Sequence, residues 1–211
     1  MTRDEFIRLV GPLVYHVTPQ TNLQGIAGRG LIRPAEAARQ AGFDPADIAL
    51  RTDPETIVSD AGPMTLNHQK PLLAGQHRAS DFLTAGTLLD WALQLDERIF
   101  FWPRKMRRSY IETLQARVPV AVLELDAGGL FDIYADHLDL APFNSGAAVR
   151  KPAMRGHWLY VPATKTPQAF RTNRMKRDLV KTRDSVAEVS LRVDISGPQL
   201  SVLCTGGLTD A

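Results

Sequence analysis

Cysteine is almost missing from this chain. Cys204 is the only one in 211 residues, which excludes an internal disulfide framework and every CxxC metal or redox motif. No run approaches the roughly 20 consecutive apolar residues of a membrane span. The amino terminus "MTRDEFIRLVGPLVYHV" carries Asp4 and Glu5 where a secretory leader would hold an uninterrupted apolar segment. These absences predict a soluble, unprocessed protein of the reducing cytoplasm, with no membrane partner and no metal site. The GxGxxG, Walker and HExxH patterns are missing as well, so the commonest nucleotide folds are disfavoured.

A strong excess of one charge is also lacking. The net charge is +2, and a field that weak does not announce a nucleic-acid partner. The distribution says more. Between Arg150 and Arg183 lie Arg150, Lys151, Arg155, Lys165, Arg171, Arg174, Lys176, Arg177, Lys181 and Arg183 against Asp178 alone, with Trp158, Tyr160 and Phe170 among them, and a second basic knot spans Arg104 to Arg108. Solvated surface explains such clusters, and so does contact with the phosphates of DNA or RNA; the rings then either stack on exposed bases or anchor the segment to the core.

What is present suffices for a core: 44% of the residues are hydrophobic, and the length fits one domain spanning residues 1–211. Thr2 and Glu5 have capping-box spacing ahead of Phe6, Ile7, Leu9 and Val10. "LVYHV" (13 to 17) reads as a buried strand. Thr21 caps a helix with its apolar face on Leu23, Ile26 and Ala27, and Gly30 stops it in the left-handed conformation. "PAEAARQAG" (34 to 42) places proline first and glycine last in a further helix. Residues 43 to 70 form a polar stretch that reads in part as strand and in large part as loop. A helix on Leu88, Leu89, Ala92 and Leu95 leads to a strand from Arg98 to Trp102 that Pro103 ends. "MRRSYIETLQAR" predicts another helix, and "VPVAVLELD" (118 to 126) a strand too apolar for an open edge. Residues 141 to 183 show weak periodicity, and "SVAEVSLRV" (185 to 193) and "LSVLC" (200 to 204) predict the last strands. Strands and helices mix without a strict βαβ beat, so the expected class is α+β with a mostly antiparallel core.

Alternate side chains of a strand share a face, so His16 and Thr18 point together, opposite Tyr15 and Val17, and can line a cleft. At these residues the chain resembles a known family. "YHVTPQTNLQGIAGRGL" is similar to the first strand and helix of the ADP-ribosyltransferase fold, and within that fold it resembles the bacterial DarT-type enzymes that modify nucleic acid. "RIFFWPRKMRRSYIETL" resembles the aromatic strand and following helix at the middle of that fold, with Phe101, Trp102, Ser109 and Tyr110 in the matching places. "IALRTDPE" resembles the region that carries an arginine, here Arg51. "KRDLVKTRDSVAEVSLRVDI" resembles the strand that carries the family's glutamate, here Glu188. No Ser-Thr-Ser motif precedes that glutamate, a departure from the arginine-modifying branch.

The resemblance implies a split β-sheet core with flanking helices and an NAD-dependent ADP-ribosyltransferase, toxin-like, with NAD as substrate. It implies catalytic roles for Glu188 and Arg51, and NAD binding by His16, Thr18, Asn22, Gly30, Phe101, Trp102 and Tyr110. Breaking the nicotinamide bond passes through an oxocarbenium-like sugar, so a carboxylate is needed to hydrogen-bond the ribose or orient the acceptor. A histidine donating to the other ribose and aromatic faces on nicotinamide fix the ligand, and an arginine neutralises pyrophosphate. The resemblance also brings possible partners: DNA or RNA along Arg150 to Arg183, and a neutralising protein. Two other functions share the fold, a tRNA 2'-phosphotransferase-like enzyme and a non-catalytic nucleotide-binding module. Each residue also has an ordinary structural use. His16 suits a core hydrogen bond, Glu188 and Arg51 suit a solvated face, Phe100 to Trp102 suit core packing, and Asn22 suits the first turn of a helix.

Overall fold

A computed structural model describes residues 1–75, 77, 79–103, 119–149, 153–177 and 185–206. The chain opens as its first residues dictate. Thr2 Oγ1 accepts from the Glu5 amide (3.3 Å) while Glu5 Oε2 accepts from the Thr2 amide (2.9 Å), closing the capping box that starts α1 (Arg3–Val10). β1 (Leu13–Pro19) pairs antiparallel with β6 (Val120–Asp126) along its whole length, with His16 opposite Leu123 and Thr18 opposite Ala121. Period two puts Val14, His16, Thr18, Ala121, Leu123 and Leu125 on one face. Val14 and Leu125 on that face are fully buried. α1 packs beside α8 (Ala127–Tyr134), which follows β6 directly and is capped by Asp126.

The second sheet has four strands in the order β5 (Ile99–Phe101), β9 (Glu188–Leu191), β7 (Leu138–Ala141), β8 (Val161–Pro162), every pair antiparallel. Among the described residues one backbone pair joins the two sheets: the Tyr15 amide donates to the Trp102 carbonyl (2.9 Å) and the Trp102 amide to the Tyr15 carbonyl (2.8 Å). The expected α+β class, mainly antiparallel, is what the chain forms.

Several local expectations are corrected. Thr21 caps nothing: a single 3-10 turn (Gln20–Asn22) precedes α2 (Leu23–Arg29), which has no side-chain cap, and the Thr21 hydroxyl reaches Thr65 Oγ1 instead (3.3 Å). Ala27 is exposed, so α2 is anchored through Ile26. Gly30 does end α2 with a positive φ of 90°, but its ψ of −161° is extended, because the residue begins β2 (Gly30–Leu31), paired with β10 (Ile195–Ser196).

Residues 43 to 70 hold more regular structure than the single strand their sequence suggests. They hold α4 (Pro45–Ile48) and a hairpin of β3 (Glu55–Ser59) and β4 (Gly62–Leu66), which lies near α3 (Pro34–Gln40) and buries only Ile57 and Leu66 deeply. Two inward residues on ten give almost no alternation to read. "LSVLC" belongs to helix α10 (Gly197–Leu203), set by a capping box of Ser196 and Gln199, and only Cys204 bridges to β6, at Leu125. The helix expected over "MRRSYIETLQAR", with Ser109, Tyr110 and the Arg104–Arg108 knot, lies outside the described residues.

Candidate functional site

After the Tyr15/Trp102 pair, β1 and β5 make no further backbone pair among the described residues. The next carbonyl on β5, that of Phe100, is met by a side chain: His16 Nδ1 lies 2.9 Å from it. A carbonyl only accepts, so Nδ1 carries the hydrogen and Nε2 of the neutral ring is left as an acceptor. Burial lowers the His16 pKa, and the bond to Phe100 offsets part of that shift. The ring is therefore neutral at pH 7 and offers a ligand an acceptor, where a donor was expected.

The cavity that opens at this split has a volume of about 360 Å³, within the range of small-ligand sites. His16, Thr18, Asn22, Gly30, Arg51, Phe101, Trp102 and Glu188, which the sequence placed in one site, all line it. Tyr110 lies outside the described residues. The shared cavity does not give them equal roles.

Glu188 opens β9 and is 8% exposed. Its Oε1 accepts the Ser145 hydroxyl at 2.6 Å. Burial pushes its pKa up to about 7, against the opposing pull of Ser145, Arg98 and Arg155. A carboxyl poised there can exchange a proton at neutral pH.

Arg51 is otherwise engaged. It forms a two-point pair with Asp96 on α7 (Leu88–Asp96), Nη1 to Oδ2 at 2.6 Å and Nη2 to Oδ1 at 3.1 Å, and it also donates to the carbonyls of Asn67 (2.6 Å) and Ile48 (3.1 Å). The side chains of Arg51 and Asp96 are 6% and 2% exposed. With four of its five N–H groups so held, Arg51 builds the wall of the cavity, and little of it remains for a phosphate.

Asn22 likewise ties elements together. Its Nδ2 donates to Thr18 Oγ1 (3.1 Å) and to the Thr65 carbonyl (2.9 Å), and its Oδ1 accepts from the Thr65 amide (2.8 Å), so it pins the edge of β4. Arg29 pins the same hairpin through the carbonyls of Ala61 (2.9 Å), Gly62 (3.3 Å) and Pro63 (2.9 Å). No carboxylate pairs with Arg29 among the described residues, so its charge stays uncompensated on the cavity wall. Gly30 is required by packing: a Cβ there would sit 1.9 Å from the Ile195 carbonyl oxygen. Phe101 is 1% exposed and belongs to the core, whereas Trp102 and Phe100 are only partly buried.

The basic stretch divides between core and surface. Arg155 is 1% exposed and Arg174 5%, both bonded to backbone carbonyls, so neither faces solvent. Phe170 and Tyr160 are core residues, and Arg177 covers the Trp158 ring at 3.6 Å. Lys165 and Lys176 are exposed and Arg171 and Arg177 partly so, whereas Arg150, Lys151, Lys181 and Arg183 lie outside the described residues.

Sequence reasoning missed Ser145, Asp96 and Arg98. Asp96 carried a signal, an acid one position past Leu95 on an apolar helix face, which implies a buried partner. Ser145, in a short "NSG" turn, carried none. Among the described residues no three His, Cys, Asp or Glu side chains gather to hold a metal, and no helix is long and apolar enough to cross a membrane.

No curated protein and no solved structure matches this chain. Residues 12–201, a span that contains every residue lining the cavity, match the Family of unknown function (DUF7002), and to that family the chain belongs.

Proposed function

We propose that the chain is an NAD-dependent ADP-ribosyltransferase, built on the split-sheet core of that fold, which cleaves the bond between nicotinamide and ribose and passes the sugar to an acceptor. One observation carries the reading: His16 on β1 and Glu188 on β9, from two different sheets, line one cavity where those sheets part. In this reading the C–N bond breaks, its electron pair leaves with nicotinamide, and the acceptor's lone pair attacks the ribose carbon. Ionised Glu188 accepts a hydrogen bond from a ribose hydroxyl or takes the acceptor's proton, stabilising charge that develops only in the transition state. His16 Nε2 accepts from a hydroxyl of the other ribose. Trp102 and Phe100 supply the ring faces. Arg29 takes the pyrophosphate role first assigned to Arg51, because its charge is uncompensated.

A nucleic-acid acceptor rests on Lys165, Arg171, Lys176 and Arg177, since Arg155, Arg174, Tyr160 and Phe170 are buried. Purified protein mixed with NAD should release nicotinamide, and Glu188→Gln should abolish the release. NAD that raises the melting temperature as mass action requires, with no release, replaces the enzyme by a binding module. Absence of both release and binding removes NAD from the reading. Turnover of a 2'-phosphorylated RNA end would favour the phosphotransferase branch.

A further inference from the structure

Arg155 is among the most deeply buried large side chains described, and among the described residues it forms no ion pair with a carboxylate. Its Nε donates to the Ser145 carbonyl (3.0 Å), Nη1 to Ala153 (2.8 Å), and Nη2 to the carbonyls of Asn144 (3.4 Å) and Ala147. Phe82 and Phe143 flank the guanidinium, with ring centres 5.3 and 5.4 Å away. Burying a cation is costly, and an apolar side chain could fill the same space. What no apolar side chain could do is hold three carbonyls of one turn, residues 144, 145 and 147, in a planar fork. Trp91 Nε1 adds a second donor to the Ser145 carbonyl (3.2 Å). The turn so fixed is the one whose serine hydroxyl sits on Glu188.

We infer that Arg155 is a positioning residue of the cavity: its fork fixes the 144–147 turn so that the Ser145 hydroxyl stays on the Glu188 carboxylate. The inference rests on Glu188 being the working group of the proposed reaction. Glu188 faces Ser145 from the turn, Arg98 from the residue before β5, and Arg155 and Tyr160 from the segment before β8. Its β7 neighbour across the sheet, Ala141, does not titrate. Arg98 lies over the Tyr160 ring at 3.8 Å and is bonded to Asp139 and Ser190. Ser145 is thus the one uncharged donor on this carboxylate among these groups, and Arg155 holds it from behind.

The experiment follows the Glu188 carboxyl by carbon-13 NMR in the full chain without NAD, with Glu188→Gln identifying the signal. The wild-type midpoint should lie at about 7, where burial places it. Ser145→Ala removes a hydrogen bond to the ionised form and should raise the midpoint by about one pH unit. Arg155→Lys keeps the charge and loses the fork. It should raise the midpoint by a similar amount, and the double variant should move no further than Ser145→Ala alone. A midpoint unchanged in Arg155→Lys while Ser145→Ala moves it overturns the inference. So does a double shift equal to the sum of the two. If the lysine variant does not melt cooperatively, Arg155→Gln, which keeps a side chain between Phe82 and Phe143, replaces it. Loss of the charge raises the midpoint by itself, so the reading comes from adding Ser145→Ala, which should raise the midpoint clearly less than it does in wild type, and an undiminished rise overturns the inference. The titration needs no turnover, so its failure speaks of Arg155, whereas absent nicotinamide release speaks of the reaction.

Discussion

His16 Nδ1 donates to the Phe100 carbonyl across 2.9 Å, at the point where β1 and β5 stop pairing as backbones. The bond occupies the place of a ladder hydrogen bond and fixes the tautomer. Nitrogen-15 NMR should show the Nδ1–H form and a titration midpoint below the ordinary 6.5, since burial lowers it. The sign follows from that direction. His16 contributes stability above its unfolded pKa, and this is lost as the pH falls from 6.5 through the folded value. An Nε2–H ring titrating above 6.5 would contradict the geometry.

His16→Ala and Glu188→Gln should separate by kinetic signature. The first removes an acceptor that a bound ligand meets in its ground state, so NAD affinity falls. The second removes an interaction that strengthens in the transition state, so turnover falls with affinity largely kept. Calorimetry and single-turnover kinetics check the division, and equal loss of binding in both variants contradicts it.

Glu188 also leaves a mark on stability. Its folded pKa of about 7 lies above the ordinary 4.5, so the unfolded chain holds fewer protons between those values. Stability therefore falls as the pH rises through that window, by about 3 kcal/mol for this one group. Glu188→Gln cannot ionise. Its stability relative to wild type should grow by about that amount between pH 5 and pH 8.5 in urea unfolding. A constant difference would place the carboxyl in water.

Breaking the Arg51–Asp96 fork from one side strands a charge in the core. Arg51→Ala or Asp96→Asn should each cost about 3–5 kcal/mol. The double replacement by apolar residues should cost clearly less than the sum. Denaturant midpoints measure this. Full stability in Arg51→Ala would free that arginine for ligand binding.

Gly30→Ala tests a close approach. A Cβ placed 1.9 Å from the Ile195 oxygen at a φ of +90° must push β2 off β10, at a cost of about 2–5 kcal/mol. The melting temperature should fall accordingly, and an unchanged one would show that the strands separate freely.

Much of this molecule is local and therefore legible. Thr2 with Glu5, Pro34, and the helix ahead of Ile99 announce their elements through caps and periodicity, which depend on residues three or four apart. The inward face of β1 follows from period two alone, and it brings His16 and Thr18 to the cavity. The hairpin 55–66 does not follow, because it rests on Asn22, in the 3-10 turn, and Arg29, at the end of α2, reaching its backbone from more than thirty positions back in sequence. Residues 200 to 204 read as a strand because Leu, Val and Leu are common in both states, and the capping box of Ser196 and Gln199 decides for helix. Charge pattern alone left Arg51 open to a phosphate and Arg155 open to water. Folding sets one against Asp96, 45 positions away, and the other into the carbonyls of the turn behind Glu188. Sequence lists donors and acceptors, but only tertiary structure decides which are already bonded, because a buried polar group must find its partner wherever the chain has brought one.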